Sequence, residues 1–344
     1  MANIEKISFD IETITPMFLA GADGKTAELR PASLKGLLRY WWRALQADGD
    51  LNRLRDNESG IFGSIDRGGS FSIQIKHESF RITRTKFANY PVPVEGKTFK
   101  INILEYLAYG TLEYEKGEGN YFTRDYIQPN SRFKVIVSCF NEECMKEILK
   151  TFYVFGLFGG LGSRNRNGFG GFDISNKTIV FEAIKSDFSI DTPYTKENLI
   201  KLIKNISTQP YSSFSEQTKL FRSKKPFDSW DKALANVGII YKQIRSKLEK
   251  RHSFEKRQYI GSPIVEKKGT KSFLERHAKP YFIKISKESG NYHAYILYLP
   301  SRYCDGLDLD ISDKKINHSK VDNDFNNVCV EFNKHLNSEM ELVL

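Results

Sequence analysis

The sequence predicts an α+β fold arranged in two domains. The chain has 344 residues, enough for two buried cores, and aromatic residues make up 13% of it. Predicted strands and helices alternate in a fixed order through the first half, and the second half carries helices and a hairpin of its own. We therefore expect one domain in residues 1–175 and a second in residues 176–344.

The first half begins with a predicted strand at residues 3–14, where apolar and polar residues alternate. A helix, two strands, a second helix and a last strand are predicted at 34–45, 69–76, 131–140, 142–158 and 172–184. Strand–helix–strand–strand–helix–strand is the ferredoxin-like order. Residues 80–130 interrupt this order and are interpreted as an insertion with a short apolar element.

The first predicted helix lies in "ELRPASLKGLLRYWWRAL" (28–45) and cannot extend before Pro31. Ser33 is predicted to cap it. Apolar residues at helical spacing predict one buried face, made of Leu34, Leu37, Leu38, Trp41 and Leu45.

On another side of this helix, Lys35, Arg39 and Arg43 recur every four residues and form a basic row. The row is either an ordinary solvated face or a set of cations matched to a polyanion. Trp42 lies at the border between the basic row and the apolar face, where its ring could pack in the core or stack on a base.

The second half has two predicted helices at 195–206 and 228–250, a β-hairpin at 280–299 and a closing helix at 323–342. The net charge of the chain is +10, and residues 217–276 alone hold 16 Lys and Arg against 6 Asp and Glu. Such a concentration of positive charge is typical of a protein with an anionic partner, most often nucleic acid.

The stretch "GGLGSRNRNGFGGF" (159–172), called here the glycine loop, has glycine at six of the 13 residues up to Gly171. It matches neither a P-loop nor a dinucleotide-binding fingerprint, because no Gly-Lys-Ser/Thr ending is present and the loop follows a helix. Exposed backbone amides with Arg164, Arg166 and Phe169 suit a phosphodiester backbone and a stacked base. A flexible linker is the competing interpretation.

Metal and membrane functions are not indicated. Cys139, Cys144, Cys304 and Cys329 form no Cys-x-x-Cys pair, so we expect free thiols, no metal and no cofactor. No apolar run reaches the length of a membrane span and no signal-peptide core follows the N-terminus, so we expect a cytoplasmic protein.

Two segments together, "LRPASLKGLLRYWWRAL" and "GGLGSRNRNGFGGF", resemble the RAMP superfamily of RNA-binding proteins from CRISPR systems. The segments "YIGSPIVEKKG" (259–269) and "ERHAKPYFIKISK" (275–287) resemble two later elements of that family, although Lys279 stands where serine is usual. The resemblance implies two ferredoxin-like folds packed together.

It further implies a noncatalytic RNA-binding subunit of a type III-B CRISPR Cmr effector complex. Its partners would be guide RNA (crRNA) toward the 3′ end, target RNA and other Cmr subunits. The residues expected to bind RNA are Arg30, Lys35, Arg39, Trp42, Arg43, Arg164, Arg166, Phe169, Lys267, Arg276, His277 and Lys279.

Two alternatives remain at this point. The chain could be a RAMP-class RNA endonuclease, with His277 as the best acid–base candidate or with Asp23, which lies in the loop after the first strand. It could also be a free-standing RNA-binding protein.

Overall fold

Two four-stranded antiparallel sheets organise the chain, one in each half. The computed structural model describes residues 5–94, 98–175, 194–203, 208–250, 253–261, 265–266, 269–270, 277–303 and 317–344.

The helices and strands of the first half are β1 (Glu5–Thr13), α1 (Pro31–Ala44), α2 (Leu51–Phe62), β2 (Phe71–Ser79), β3 (Ile82–Thr83), β4 (Pro91–Pro93), β5 (Lys100–Asn102), α3 (Ile103–Leu107), β6 (Leu112–Glu115), β7 (Gly119–Phe122), β8 (Tyr126–Ile127), β9 (Arg132–Cys139), α4 (Glu142–Phe158) and β10 (Phe172–Ile174). Those of the second half are α5 (Lys196–Ile200), β11 (Lys219–Arg222), α6 (Trp230–Lys247), a 3-10 helix (Arg257–Ile260), β12 (Val265–Glu266), β13 (Gly269–Thr270), β14 (Tyr281–Glu288), β15 (Asn291–Tyr298), α7 (His318–Glu339) and β16 (Glu341–Leu342).

The first sheet has the strand order β10-β1-β9-β2, with α1 and α4 packed on each other and on the sheet. Every second residue of β9 is buried, including Phe133, Val135 and Val137, as the alternating sequence predicts. This is the ferredoxin-like arrangement expected for the first half. Residues 176–184 of its predicted last strand lie outside the described residues.

The second sheet repeats the same arrangement. Its order is β16-β11-β15-β14, and the elements follow one another along the chain as β11, α6, β14, β15, α7 and β16. The chain therefore contains two ferredoxin-like folds, as expected. The hairpin turns at Ser289 and Gly290, both with positive φ, where the sequence predicts it. Helix α7 starts five residues earlier than predicted, because the side chain of Asn317 caps it.

The start of α1 and the next helix differ from the sequence prediction. Pro31 is the first residue of α1 and Arg30 occupies the cap position without a side-chain hydrogen bond, so the prediction of Ser33 as cap is wrong. Proline fits this position because the first helical amide needs no intrahelical partner. Helix α2 was not predicted, and Asp50 caps it by accepting from the Asn52 and Arg53 amides.

The insertion at residues 80–130 consists of short strands around α3 and packs onto the second half. Gly238 of α6 has no side chain, and a Cβ there would lie 2.7 Å from Leu107 and 3.1 Å from Ile103. The two apolar cores also draw on both halves. One contains Phe9 with Leu220, and the other contains Phe18 with residues of α6 and α7. The boundary near residue 175 thus separates the two sheets and not the two cores.

The buried side chain of Lys284, in the second half, contacts both ends of the glycine loop, which lies in the first half. Lys284 of β14 is 3% exposed, and its ammonium group donates to the carbonyl oxygens of Gly159 and Phe172, each at 3.1 Å. These residues are the two ends of the loop. A buried ammonium group costs free energy unless its donors are used, and here the loop carbonyls accept from it.

We expect Lys284→Met to lower the free energy of unfolding by about 2 kcal/mol, because two buried carbonyl groups lose their charged donor. Lys287→Met on the exposed end of the same strand is the matched control and should stay within about 0.5 kcal/mol of the wild type. Urea unfolding measures both variants. Equal stabilities would show that Lys284 does not hold the loop.

Candidate nucleic-acid interface

The glycine loop is tightly packed, which disfavours the linker interpretation. Gly170 has φ +70°, and a Cβ there would collide with the carbonyl group of Leu161, whose own amide donates to the Gly170 carbonyl oxygen at 2.8 Å. Gly168 has φ +90° and lies against Leu234 and Ile283 of the second half. Glycine is required at both positions because the backbone approaches its neighbours closely in a left-handed conformation.

The two loop arginines have different surroundings. Arg166 donates to the carbonyl oxygen of Lys279, and its guanidinium group lies 4.4 Å from the ring centre of Phe282 and 5.3 Å from that of Tyr40. Its own carbonyl oxygen accepts from the Ile283 amide at 3.1 Å. Arg166 therefore connects the glycine loop to the second half.

Arg164 instead points away from the loop toward the insertion. It is exposed, has a positive φ of 61°, and its guanidinium group lies against Gly110. Partial burial at this contact lowers the pKa of Arg164, and the nearby charge of Arg124 lowers that pKa further.

Cations also cluster where the glycine loop meets the second half. The Lys279 ammonium group lies 4.1 Å from the ring centre of Tyr241. Burial holds the pKa of Lys279 well below its ordinary value of 10.5, and the charges of Arg166 and Arg245 lower that pKa further. Like charges held together in this way are stabilised when an anion binds between them.

His277 is packed among aromatic rings beside this cluster. Its ring centre lies 4.1 Å from that of Tyr303 and 5.8 Å from that of Phe325. Burial lowers the pKa of His277 to about 4, and the Arg166 charge contributes to the shift. The imidazole is therefore neutral at neutral pH, which disfavours it as a general acid there.

The basic row on α1 is largely engaged within the protein. The carboxylate of Glu58, on the unpredicted helix α2, lies 3.3 Å from Arg39 and 3.1 Å from Arg43. Arg39 also donates to the carbonyl oxygen of Gly63 at 2.7 Å. The Lys35 ammonium group lies 4.7 Å from the ring centre of Phe71. These contacts give the basic row a structural role that neither the solvated-face nor the polyanion interpretation includes.

The aromatic residues that were expected to stack on bases are buried. Trp42 is 3% exposed and its indole nitrogen donates to Glu147 at 2.8 Å, so its predicted border position is corrected to a core position. Phe169 is 0% exposed and lies between the rings of Phe18 and Phe87. Neither ring presents a face to solvent in this structure.

Of the other expected residues, Arg30 is exposed at the start of α1, whereas Lys267 and Arg276 lie outside the described residues. Asp23 is exposed and accepts from the Thr26 hydroxyl and from the amides of Lys25 and Thr26. These hydrogen bonds lower the pKa of Asp23 to about 2, with the Thr26 hydroxyl as the largest cause. They describe an Asx-type turn.

A basic groove was not singled out from the sequence. It is an open cleft of about 620 Å³ between α6 and strand β4 of the insertion. Its lining residues are Val92, Pro93, Val94, Tyr106, Lys242, Gln243, Arg245, Ser246, Lys247 and Arg257, with no aspartate or glutamate among them. We call it the α6 groove. The signal for this groove in the sequence is the concentration of positive charge at residues 217–276, which does not by itself show which cations share one cleft.

The α6 groove adjoins the cation cluster through Arg245, which lines the groove and also lowers the pKa of Lys279. Lys242 donates to the carbonyl oxygen of Pro93 at 3.3 Å, and Arg257 is paired with Glu249 at 3.0 Å. The structure thus brings Arg166 of the glycine loop, Lys279 just before β14 and Arg245 of α6 into one basic surface.

Comparison with known proteins gives a consistent picture. A model of the RAMP superfamily matches residues 10–173. CRISPR system Cmr subunit Cmr1-1 of Pyrococcus furiosus is 26% identical over 312 residues, which cover 84% of this chain and 86% of that protein. The apo crystal structure of Cmr1 from Pyrococcus furiosus has a TM-score of 0.59 at 20% identity, covering 99% of this chain and 98% of that one. It shows that the two chains share a fold.

One chain of the cryo-EM structure of the type III-B Cmr-beta bound to cognate target RNA also has this fold. Its TM-score is 0.51 at 14% identity, with 96% of this chain and 99% of that chain covered. No helix in the part of the chain that the structure describes is long and apolar enough to cross a membrane.

We expect the double variant Arg39→Ala, Arg43→Ala to lower the free energy of unfolding by about 1–2 kcal/mol, because the half-buried Glu58 carboxylate loses both cations. Adding Glu58→Gln should restore at least part of this loss, since the unpaired charge is then gone. Urea unfolding of the three proteins measures the coupling. A double variant as stable as the wild type would show that the basic row is an ordinary solvated face.

The pKa of His277 predicts a loss of stability in acid. Because the pKa is about 4 in the folded protein and 6.5 ordinarily, the unfolded chain binds a proton first as the pH falls. The free energy of unfolding should therefore fall between about pH 6.5 and pH 4, by up to about 1.4 kcal/mol per pH unit. His277→Phe should remove the contribution of His277 to this slope and leave that of His293, whose pKa is also lowered by burial and by the Arg222 charge. His77→Gln at an exposed position of β2 should leave the slope unchanged. Thermal unfolding across this pH range measures it.

Proposed function

We propose that this chain, whose residues 10–173 match the RAMP superfamily, is a noncatalytic RNA-binding subunit of a type III-B CRISPR Cmr complex. The similarity to a Cmr subunit over 84% of the chain supports the proposal that this chain belongs to such a complex. The proposed partners are guide RNA toward its 3′ end, target RNA and other Cmr subunits, and the proposed location is the cytoplasm.

The α6 groove is the observation that most supports RNA binding by this chain. Lys242, Arg245 and Lys247 lie along one helix and line a cleft that has no aspartate or glutamate among its described lining residues. A row of cations beside an open cleft suits the phosphates of an extended strand, because each cation can pair with a phosphate in turn. A compact apolar ligand would instead need an enclosed and largely apolar pocket.

The cation cluster extends this surface toward the glycine loop. Arg166 and Arg245 both lower the pKa of Lys279, and the structure gives Lys279 no carboxylate partner among the described residues. A bound phosphate would relieve this repulsion. We therefore place one strand of RNA along the α6 groove and past Lys279.

Two observations favour a noncatalytic role over the endonuclease alternative. The His277 imidazole is enclosed by Tyr303 and Phe325, and its lowered pKa keeps it neutral. The Asp23 carboxylate accepts three hydrogen bonds within its own turn. Both groups are thus engaged in local structure.

We expect the purified protein to bind single-stranded RNA with a steep salt dependence and little sequence preference. Three phosphate contacts in the α6 groove correspond to a slope of about −2 in log K against log salt, or about 20-fold weaker binding between 50 and 200 mM salt. The triple variant Lys242→Gln, Arg245→Gln, Lys247→Gln should lose most of this slope. Fluorescence anisotropy with a labelled oligoribonucleotide measures it.

The matched control removes three cations elsewhere, with Arg53→Gln, Arg132→Gln and Lys146→Gln, and should keep the slope of the wild type. Circular dichroism establishes that each variant is folded. A flat salt dependence in the wild type would contradict RNA binding. Accumulation of cut RNA when the wild-type protein is incubated with Mn²⁺ would favour the endonuclease alternative.

A further inference from the structure

Two arginines lie together without an acid at the junction of the glycine loop and the insertion. The charge of Arg124 lowers the pKa of Arg164, so the two guanidinium groups are close enough to repel each other. Neither forms an ion pair with a carboxylate among the residues that the structure describes, although many surface arginines of the chain do, such as Arg84 with Asp125. Among the described residues, no carboxylate therefore offsets this repulsion.

One polar atom of this pair lacks a hydrogen-bond partner among the described residues. The Nε atom of Arg124 is buried and has no hydrogen-bond partner in the described part of the chain. A buried donor that forms no hydrogen bond costs on the order of 1–3 kcal/mol. An anion bound at the pair would accept from this donor and would also offset the charge repulsion.

The backbone is arranged to keep the pair in place. Arg164 adopts a φ of 61°, a conformation that is uncommon for a residue with a side chain. Gly110 adopts φ +85°, and a Cβ at this position would collide with the Arg164 guanidinium group. One residue thus tolerates an unfavourable conformation and the other must lack a side chain, and both features fix the Arg164 guanidinium group against Gly110.

An exposed aromatic ring stands next to the pair. Tyr109 is 78% exposed and precedes Gly110, against which the Arg164 guanidinium group lies. An exposed tyrosine beside paired arginines offers a stacking surface next to a phosphate site, as in proteins that bind single-stranded nucleic acid. It also supplies the exposed aromatic face that Trp42 and Phe169, being buried, do not.

We propose that Arg124, Arg164 and Tyr109 form a binding site for one nucleotide of single-stranded RNA. The two guanidinium groups bind one phosphate, and the Tyr109 ring stacks on the adjoining base. This site rests on the RNA-binding function proposed above and adds the insertion to the RNA-binding surface.

The position of α3 favours RNA over an acidic protein segment as the ligand. Tyr106, in α3, lines the α6 groove, and Tyr109 follows three residues later. The side chain of Asn167 in the glycine loop donates to the Leu107 carbonyl oxygen at 2.7 Å, which fixes the end of α3 against the loop. A strand that leaves the groove at Tyr106 can therefore continue to Tyr109 and the arginine pair.

The experiment compares the affinity of five variants for oligouridylate and for an abasic ribose-phosphate oligomer of equal length. The variants are Arg124→Gln with Arg164→Gln, Arg124→Lys with Arg164→Lys, Tyr109→Ala, Tyr109→Phe, and Arg132→Gln as the control for charge. The double arginine variant should reduce the slope of log K against log salt by about 0.7, because one phosphate contact is lost. Arg132→Gln should leave the slope unchanged.

Stacking is measured by the ratio of the affinities for the two oligomers. The wild type and Tyr109→Phe should bind oligouridylate about tenfold more tightly than the abasic oligomer, and Tyr109→Ala should bind the two about equally. The conservative variant Arg124→Lys with Arg164→Lys keeps the charge, so it should retain the salt slope and serves as a check on folding.

Failure of this site and failure of the proposed function give different results. If the α6 groove variant loses RNA while the Arg124, Arg164 and Tyr109 variants bind like the wild type, the nucleotide site is wrong and RNA binding stands. If the wild type does not bind RNA, both proposals are wrong. If these variants bind RNA normally but no longer assemble with partner subunits, the surface binds protein and the nucleotide site is overturned.

Discussion

The contact between Lys284 and the two ends of the glycine loop is the interaction on which the rest of the structure depends. The ammonium group is buried, and its donors reach the carbonyl oxygens of Gly159 and Phe172. This contact fixes a loop of the first half to β14, an edge strand of the second sheet. It sets the places from which Arg164 and Arg166 extend, one toward the insertion and the other toward Lys279. A glycine-rich segment, which has high conformational entropy when free, is thereby held in one conformation.

A second constraint is the accumulation of positive charge beside this loop. Arg166 and Arg245 each repel Lys279, and Arg124 repels Arg164. In a protein whose fold was the sole requirement, acids would be expected among these cations, as Glu58 lies between Arg39 and Arg43. The contrast separates cations that stabilise the fold from cations that favour an anionic partner. The first kind lies on α1 and the second kind lies where the two halves and the insertion meet.

The fold could be predicted from the sequence because its strands alternate and its helices have one apolar face, as β9 and α6 show. The site was predicted less well, since side-chain partners that are distant in sequence decide each residue's role. The basic row has the spacing of a binding surface, and its pairing with Glu58 requires a helix that the sequence pattern did not reveal. Arg164 and Arg166 are two residues apart in one loop, and the positive φ of Arg164 sends them to different neighbours.

The basic surface around the glycine loop depends most on the insertion. Its helix α3 packs on α6, so the insertion shares a core with the second half although it interrupts the first. Tyr106 and Tyr109 are thereby placed beside cations that come from α6 and from the glycine loop. Neither ferredoxin-like fold alone contains this surface, because it needs the loop of one, the helix of the other and the inserted segment between them. A change in the insertion could therefore alter the ligand while leaving both sheets unchanged, which is how one fold can serve several partners.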